Sequence, residues 1–328
     1  MVPRRSPSGP VGEIEAQAEM NVPALSVIIC THDPRPDYLD RTLKALQAQT
    51  LPRGQWELLL IDNASREPLA GSWDLSWHPQ ARIIREDELG LTAARLRGIR
   101  ESTGDLLVFA DDDNVLSCEY LMTASAIADE WICLGAFGGS IQGEFEVPVP
   151  DWITPYLEAM VVCELDGDYW SNLGGWSRAT PYGAGLCVRR EVAEDYRAKV
   201  AASQLRSLLG RAGLGMGAGE DGDLAWCAVD LGKGTGRFAG LRMTHLIPRG
   251  RLTEDYCVRL MAGLAASGEI LSFLRRNGEV VQKVPWRSQI RFLLELLGAR
   301  GIQRRILLAS RKARKEARCL LSANQAPL

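Results

Sequence analysis

Short apolar runs alternate with amphipathic segments over the first third of the chain. Four of these runs predict strands, and the first, second and fourth are continuous apolar runs that are typical of buried strands. They are LSVIIC at 25–30, WELLLIDNAS at 56–65, ARIIRED at 81–87 and DLLVFADDDN at 105–114. Apolar residues at helical spacing predict helices over 38–50 and 91–102. Strands that alternate with helices favour an α/β fold with a doubly wound, mostly parallel sheet.

The pattern is less regular after residue 120. We expect a strand, a turn and a second strand over 136–147, and a single strand over 237–248. Between them, a glycine-rich stretch over 213–219 precedes a predicted helix that begins near Asp221. Residues 269–321 have helical periodicity, with basic residues on the polar side.

Composition divides the chain into three regions. Residues 1–23 are rich in Pro, Gly, Ser and Glu and are predicted to be disordered. Residues 24–268 form the expected α/β domain, and residues 269–328 form a basic, amphipathic helical tail. From residue 271 onwards there are 13 Lys and Arg against 3 Asp and Glu, although the whole chain carries a net charge of −3. The α/β part is therefore acidic, which gives no general case for nucleic acid as a partner.

The overall composition, with 46% hydrophobic and 24% charged residues, is that of an ordinary soluble globular protein. No run of about 18 uncharged apolar residues occurs, so we expect no membrane-spanning helix. The eight cysteines form no CxxC pair, which argues against a zinc site. Most of them lie in apolar runs, and we expect small buried side chains in a reducing cytoplasm.

Polar clusters follow three of the predicted strands, at His32-Asp33, Asp62-Asn63 and Asp111–Asp113. Doubly wound sheets bind ligands beyond the carboxyl ends of their strands, so these clusters predict a site there. No GxGxxG or GxxxxGK[ST] motif follows the first strand, which argues against a dinucleotide or P-loop site. Three adjacent aspartates repel one another unless a cation such as Mg²⁺ or Mn²⁺ neutralises them. The alternative is a solvated, aspartate-rich turn.

A second acidic pair, Glu220-Asp221, follows glycines at every second position from 213 to 219. Glycine allows the backbone to approach a ligand closely, and a carboxylate at such a helix start could act as a general base. The alternative is an ordinary N-terminal cap of the helix.

Four segments stand in an order that resembles inverting family 2 glycosyltransferases, over residues 24–260. They are LSVIICTHDPRPDYLDRTLKALQAQT, ELLLIDNAS, ELGLTAARLRGIRESTGDLLVFADDDN and GEDGDLAW. The resemblance implies a GT-A fold and a nucleotide-diphospho-sugar donor. It also implies a divalent metal, Mg²⁺ or Mn²⁺, and a hydroxyl acceptor on a glycan or a lipid-linked molecule, as in bacterial polysaccharide or glycan assembly.

The same resemblance assigns the donor site. It places Thr31 and Asp33 on the loop that cups the nucleoside, Asp62 on the base and Arg95 near the nucleotide. Asp111–Asp113 correspond to the DXD motif of the family.

Within that motif, the resemblance implies that Asp113 is a metal ligand, while Asp111 lies nearer the ribose and Asp112 completes the donor site. His245 stands where some members have a further metal or phosphate ligand; the alternative is a histidine buried in the core.

Asp221 corresponds to the catalytic base of the family. It would take the proton of an acceptor hydroxyl that attacks the anomeric carbon from the face opposite the leaving group, so inversion needs one base and no enzymatic nucleophile. Trp176 and Tyr182 could stack on an acceptor sugar or could simply pack within their loop.

Two other functions are weighed against this one. A nucleotidyltransferase would need a glycine-rich phosphate loop with Arg or Lys after the first strand, where this chain has THDPRPD. A non-catalytic surface-binding protein that acts through its basic tail would not need both Asp111–Asp113 and Glu220-Asp221.

The tail predicts a helix with Trp286, Ile290, Leu293, Leu294 and Leu297 on one broad face. Arginines surround that face, and a second basic helix follows it. Such helices lie on anionic membranes, pack on a neighbouring domain or form a dimer contact, and the sequence leaves these alternatives open. The first of them would place a cytoplasmic protein at the inner face of the cell membrane.

Overall fold

The protein is described here from a computed structural model. It describes residues 24–211, 217–276 and 286–323. The predicted disorder of residues 1–23 lies outside these ranges, as does part of the glycine-rich stretch before Asp221.

Nine strands form one mixed sheet at the centre of the molecule. They are β1 (Leu25–Thr31), β2 (Trp56–Asn63), β3 (Ala81–Glu86), β4 (Leu106–Asp111), β5 (Asn114–Leu116), β6 (Leu134–Phe145), β7 (Tyr169–Ser171), β8 (Leu186–Arg189) and β9 (Gly234–Ile247). The order across the sheet is β3-β2-β1-β4-β8-β6-β9-β5, and β7 pairs with β9. The first four strands are mutually parallel, which confirms the predicted doubly wound half. The half that follows is mixed, because β8 runs antiparallel to both β4 and β6.

Nine α-helices connect and cover the strands within the described residues. They are α1 (Pro36–Gln47), α2 (Leu91–Glu101), α3 (Tyr120–Glu130), α4 (Arg190–Ala202), α5 (Gln204–Ser207), α6 (Glu220–Asp230), α7 (Glu254–Arg275), α8 (Trp286–Gly298) and α9 (Gly301–Ala323). Short 3₁₀ helices cover Arg53–Gln55, Asp151–Tyr156, Glu158–Met160 and Arg249–Arg251.

The sheet is buried on both faces. Alternate residues of a strand point to opposite faces, and β1 divides its side chains accordingly. Val27 and Ile29 join the core beneath α1 and α3, whereas Ile28 packs with the core beneath α2, α4 and α6. This double burial explains why the strands read as continuous apolar runs.

The prediction of a strand, a turn and a second strand over residues 136–147 is wrong. Residues 136–145 of this range belong to the single strand β6, which pairs with β9 over most of its length. Of the glycines that suggested a turn, Gly139 allows two backbone segments to lie close together. A Cβ atom at this position would lie 1.7 Å from the carbonyl oxygen of Leu241. The register shifts between Gly139 and Ser140, which marks an irregularity in the strand rather than a reversal.

The C-terminal helices form a separate layer on the α/β domain. Residue 268 lies within α7, so this helix continues across the expected domain boundary. Ile302 and Ile306 of α9 pack with Cys257 and Leu260 of α7. Among the described residues, α7 is the one helix with the length and mean hydropathy (1.4) of a membrane span, and 33% of that window is buried inside the structure.

The expectation that most cysteines are buried is wrong for half of them. All eight are free thiols. Exposed Cys118 and Cys133 lie in short connections, just after β5 and just before β6, where an adjacent apolar residue does not imply burial. The buried ones are Cys30, Cys187, Cys227 and Cys257.

Candidate active site

A cleft of about 660 Å³ opens at the carboxyl ends of β1 and β4. The start of α2 and the start of α6 line it, and side chains of α7 close one side. Of the predicted site residues, the cleft brings together Thr31, Arg95, Asp111–Asp113, Asp221 and His245. This is the position that a doubly wound sheet predicts for its ligand.

The three aspartates lie at the turn between β4 and β5. Asp111 ends β4, and its backbone N–H donates to the Asn114 side-chain oxygen (2.9 Å). Asn114 begins β5 and lies opposite His245 in the antiparallel pairing with β9. The Leu246 N–H also donates to the Asp113 carbonyl (2.9 Å). Backbone pairing therefore brings His245 to the acidic motif across more than 130 residues of sequence.

Asp113, His245 and Arg251 form a buried cluster. The Asp113 Oδ2 atom lies 3.4 Å from His245 Nε2 and 3.0 Å from Arg251 Nη2. Burial alone would raise the pKa of Asp113, but the neighbouring His245 and Arg251 side chains hold that pKa well below its usual range. Asp113 therefore presents an ionised carboxylate to the cleft.

His245 has the tautomer that a metal ligand needs. Arg251 Nη1 lies 2.9 Å from His245 Nε2, and a guanidinium can only donate, so Nε2 carries the lone pair. The proton then sits on Nδ1, which is buried and has no hydrogen-bond partner in the described part of the chain. A carboxylate oxygen and an imidazole nitrogen that face the same point fit a divalent cation, which takes further ligands from phosphate and water.

Asp111 and Asp112 are less readily ionised than Asp113. Burial, followed by the neighbouring Asp113 charge, raises the pKa of Asp112 to about 7. Burial also raises the pKa of Asp111, against the lowering effect of Arg95. Asp112 is held from the other side by the Thr31 hydroxyl, which donates to its Oδ2 atom. A cation at this turn would relieve the repulsion among the three carboxyl groups.

Asp221 stands in the first turn of α6 with its carboxylate oriented by two amides. The Gly183 N–H donates to Oδ2 (2.8 Å), and the Gly222 N–H donates to Oδ1 (2.8 Å). Gly219, just before the helix, has a φ of 135°, which a side chain would strain. The glycine before the acidic pair therefore makes the turn that points Asp221 into the cleft.

Glu220, the neighbour of Asp221, makes a buried ion pair with Arg95. Arg95 Nη1 donates to Glu220 Oε1 at 3.0 Å, and both side chains are less than 10% exposed. Burial raises the pKa of Glu220 to about 7 despite the Arg95 charge, and Asp221 adds to the rise. The pair joins the start of α6 to α2, so Arg95 lies beneath the predicted base.

Asp33 and Asp62, expected at the nucleoside, lie outside this cleft. The Asp62 carboxylate is buried and accepts from the Ser65 and Leu69 amides and from Arg85. The Asp33 carboxylate accepts from the backbone and side chain of Arg66, and it lines a smaller groove. Both side chains stabilise the loop after β2.

Asn63 lines the cleft in the place expected for Asp62. Its side chain fixes the approach to α2, because Nδ2 donates to the Glu88 carbonyl (2.7 Å) and Oδ1 accepts from the Gly90 N–H (2.8 Å). The sequence indicates the polar pair after β2, and strand alternation turns one of its two members, Asn63, towards the cleft.

Trp176 and Tyr182 both line the cleft. Trp176 is 53% exposed, and its ring packs at 5.1 Å, edge to face, on Trp226 of α6. Tyr182 is held more firmly, because its hydroxyl donates to Glu158 and its ring lies 4.7 Å from the Arg237 guanidinium. Trp176 thus offers an exposed aromatic face on the Asp221 side of the cleft.

Arg251 was missed by the sequence analysis. The sequence feature that pointed to it was the basic segment IPRGR, shortly after His245. Nothing in that segment distinguishes Arg251 from Arg249. In the structure Arg249 is exposed and pairs with Glu146, whereas Arg251 points into the cleft.

A second group of possible metal ligands, Asp195, Cys227 and Asp230, lies away from the cleft. The Lys199 ammonium lies 2.7 Å from Asp230 and also pairs with Asp195. The lysine already supplies the positive charge that these carboxylates need.

Residues 26–156 match the family model of glycosyl transferase family 2. This part of the chain therefore belongs to a family 2 glycosyltransferase domain. The matched residues include β1 apart from Leu25, the strands β2 to β5 and the whole acidic motif. The family resemblance drawn from the four sequence segments is confirmed.

Two relatives of this glycosyltransferase domain illustrate the likeness. Glycosyltransferase AglE of Haloferax volcanii is 30% identical over 95 residues, which cover 28% of this chain and 31% of AglE. Succinoglycan biosynthesis protein ExoM of Rhizobium meliloti is 27% identical over 210 residues, which cover 61% of this chain and 59% of ExoM. The chain thus spans less than two thirds of either relative.

Among solved structures, S. aureus TarS 1–349 in complex with UDP-GlcNAc superposes with a TM-score of 0.54 at 15% identity. The superposition covers 90% of this chain and 91% of TarS 1–349. It shows the fold, and it confirms the predicted GT-A class, with a mixed central sheet and C-terminal helices.

Proposed function

We propose that this protein is a metal-dependent, inverting glycosyltransferase that moves a sugar from a nucleotide-diphosphate sugar to a hydroxyl acceptor. The observation that carries the proposal is the placement of two kinds of carboxylate in one cleft. The ionised Asp113 carboxylate lies beside His245 on the proposed donor side, and Asp221 faces the same cleft from the start of α6. Inversion needs one base and no enzymatic nucleophile, and Asp221 is the residue proposed for that base.

Asp113 and His245 would hold the metal, Mg²⁺ or Mn²⁺. When bound, that cation supplies Lewis-acid neutralisation of the charge that develops on the leaving diphosphate. Arg251 can place its guanidinium against the same phosphates once it leaves Asp113, because a planar guanidinium matches phosphate geometry. Thr31 and Asn63 line the donor side and position the nucleotide.

Asp221 is the proposed base. Its two amide hydrogen bonds use one lone pair on each oxygen and leave the others free to accept an acceptor O–H. The proton passes to Asp221 as the acceptor oxygen attacks the anomeric carbon, and the leaving group departs on the opposite face. Trp176 offers an apolar platform for an acceptor ring on that side.

The relatives support a place for this enzyme in glycan assembly. ExoM is named for succinoglycan biosynthesis and AglE as a glycosyltransferase, and TarS binds UDP-GlcNAc. We propose that the protein works in the cytoplasm on a glycan or lipid-linked acceptor in bacterial polysaccharide or glycan assembly.

The test is a panel of nucleotide sugars, read first by thermal shift with Mn²⁺ and then by release of the nucleoside diphosphate. A ligand that binds only the folded state raises the melting temperature. We expect one donor to stabilise the protein in the presence of Mn²⁺ or Mg²⁺ and to be slowly hydrolysed. A binding protein would hydrolyse none of them, and a nucleotidyltransferase would release pyrophosphate from a nucleoside triphosphate instead.

A further inference from the structure

The helix α8 leaves a large apolar surface exposed. Its side chains recur at the helical spacing i, i+4, i+7, i+8 and i+11, which places them on one face. We call them the α8 stripe: Trp286 (66% exposed), Ile290 (46%), Leu293 (54%), Leu294 (64%) and Leu297 (83%). Single exposed apolar residues are common on proteins, but a contiguous stripe marks an interaction surface.

The stripe is not the side by which α8 contacts the rest of the protein. Phe292 and Leu296 are less exposed than the stripe and lie on another side of the helix. The guanidinium of Arg311, from α9, stacks 4.1 Å from the Phe292 ring. The stripe therefore lies away from the Phe292 side, where α8 contacts α9.

Positive charge borders the stripe. At 100° per residue, Arg287 and Arg291 follow the stripe on one flank of α8, and both are exposed. Arg300 follows the helix, and Arg304 and Arg314 are exposed on α9. Within the ranges that the structure covers, Arg287, Arg300, Arg304 and Arg314 make no ion pair.

We propose that the α8 stripe lies in the interfacial layer of an anionic lipid bilayer, with the flanking arginines on the lipid headgroups. A helix with Trp and Leu on one face and Arg beside it has the composition of an in-plane membrane helix. Its cations gain from the negative surface potential of the bilayer. This proposal goes beyond the glycosyl transfer and does not depend on it.

A second copy of the chain is a poorer occupant of the same surface. Two stripes facing each other would bring two sets of arginines together, and Glu295, the one acidic residue of α8, already pairs with Arg291 at 2.8 Å. Like charges at an interface oppose association, whereas anionic headgroups compensate them.

The rest of the tail is held on the domain by ion pairs between α9 and α7. Arg305 of α9 pairs with Glu254 and Asp255, and Arg318 pairs with Glu269 at 2.7 Å. All three acidic residues belong to α7, which also lines the cleft. The second basic helix is therefore structural, and α8 is the membrane-binding element.

The experiment is flotation of the full-length protein with phosphatidylcholine vesicles that contain or lack phosphatidylglycerol. We expect flotation with phosphatidylglycerol, and a marked loss at high salt or without the anionic lipid. Replacing Leu297 by Gln should lower the bound fraction about tenfold, because it removes a buried side chain from the interface. Ile132→Gln is the matched control, since Ile132 is 74% exposed but lies just before β6.

Three outcomes would overturn the proposal. The first is wild-type protein that stays in solution with anionic vesicles at low salt. The second is Leu297→Gln binding as well as Ile132→Gln. The third is a wild-type dimer in light scattering that Leu297→Gln dissociates without any vesicle binding, which would make the stripe a contact between copies. Circular dichroism and thermal melting check that both variants fold, so a loss of flotation reports on the surface.

Discussion

Arg251 Nη2 lies 3.0 Å from Asp113 Oδ2, at the oxygen that a metal ion would use. The guanidinium and a divalent cation would therefore compete for one carboxylate. The arginine compensates the buried charge of Asp113 and, if a cation took its place, would be free to turn towards a bound diphosphate. In the proposed site, donor binding would then be coupled to a movement of Arg251.

This competition predicts that Arg251→Gln binds Mn²⁺ more tightly than the wild type in the absence of nucleotide. The expected gain is about tenfold, the effect of removing one neighbouring charge worth about 1.4 kcal/mol. Isothermal titration calorimetry measures it. Arg249→Gln is the control, because Arg249 belongs to the same 3₁₀ helix but pairs with Glu146 at the surface. Unchanged or weaker Mn²⁺ binding in Arg251→Gln would disprove the competition.

Asp113→Asn should lose metal binding and keep the fold. The amide is a far weaker ligand than the carboxylate, and metal-dependent stabilisation by the donor should disappear with it. Thermal shift with donor and Mn²⁺ reads the effect. Asp195→Asn provides the contrast, because Lys199 neutralises that carboxylate, and it should bind Mn²⁺ as the wild type does. A normal metal requirement in Asp113→Asn would remove this residue from the site.

Asp221→Asn keeps the shape of the side chain but cannot take the proton. We expect turnover to fall by about 10²–10⁴-fold, the usual range for a general base, while donor affinity stays within a few-fold of the wild type. Initial rates and donor titration separate the two effects. The Gly183 amide can still donate to the asparagine oxygen, so the local structure should persist. A rate within a few-fold of wild type would mean that Asp221 only caps α6.

The Arg95–Glu220 pair predicts a pH-dependent loss of stability. Arg95→Met leaves Glu220 buried without its partner, which costs about 3–5 kcal/mol when the carboxylate is charged. Burial already raises the pKa of Glu220 to about 7, although the Arg95 charge opposes the rise. Without Arg95, Glu220 in the folded variant should therefore be protonated at pH 6 and should lose that proton only as the pH rises. A folded pKa above the unfolded one means that stability falls as pH rises through this range.

Urea unfolding at pH 6 and pH 8 measures that dependence. Arg95→Met should be clearly less stable at pH 8 than at pH 6. The double variant Arg95→Met/Glu220→Gln has no carboxyl group to titrate there, so it should lose this difference. Equal destabilisation of Arg95→Met at both pH values would show that Glu220 does not titrate in this window.

The parallel half of the fold and much of the site follow from local sequence. The strands β1, β2 and β4 are continuous apolar runs because both sheet faces are covered, and polar residues that follow such strands must lie at one edge. Asp111–Asp113 could therefore be placed without knowledge of any distant partner. His245 could be identified as a candidate by family resemblance, but its contact with Asp113 depends on the pairing of β5 with β9.

The parts that were mispredicted depend on long-range contacts. Gly139 suggested a turn. A glycine is required there because the carbonyl of Leu241, about 100 residues away in sequence, leaves no room for a side chain. Arg251 and Arg249 have the same local context, and only the path of the 3₁₀ helix turns one of them inwards. The tail sequence showed two amphipathic helices but could not show that α9 covers its apolar face on α7 while α8 does not.

The hydrogen bond from the Gly183 N–H to Asp221 Oδ2 ties the proposed base to the segment that carries Trp176 and Tyr182. The carboxylate is thus preorganised before any acceptor arrives, and no rotamer entropy has to be lost at the moment of reaction. The same tether makes the proton acceptor responsive to the acceptor site. If a poorly fitting sugar displaces the segment around Gly183, the proposed base is reoriented with it. A mismatched acceptor should therefore lower the turnover rate more than it lowers acceptor affinity.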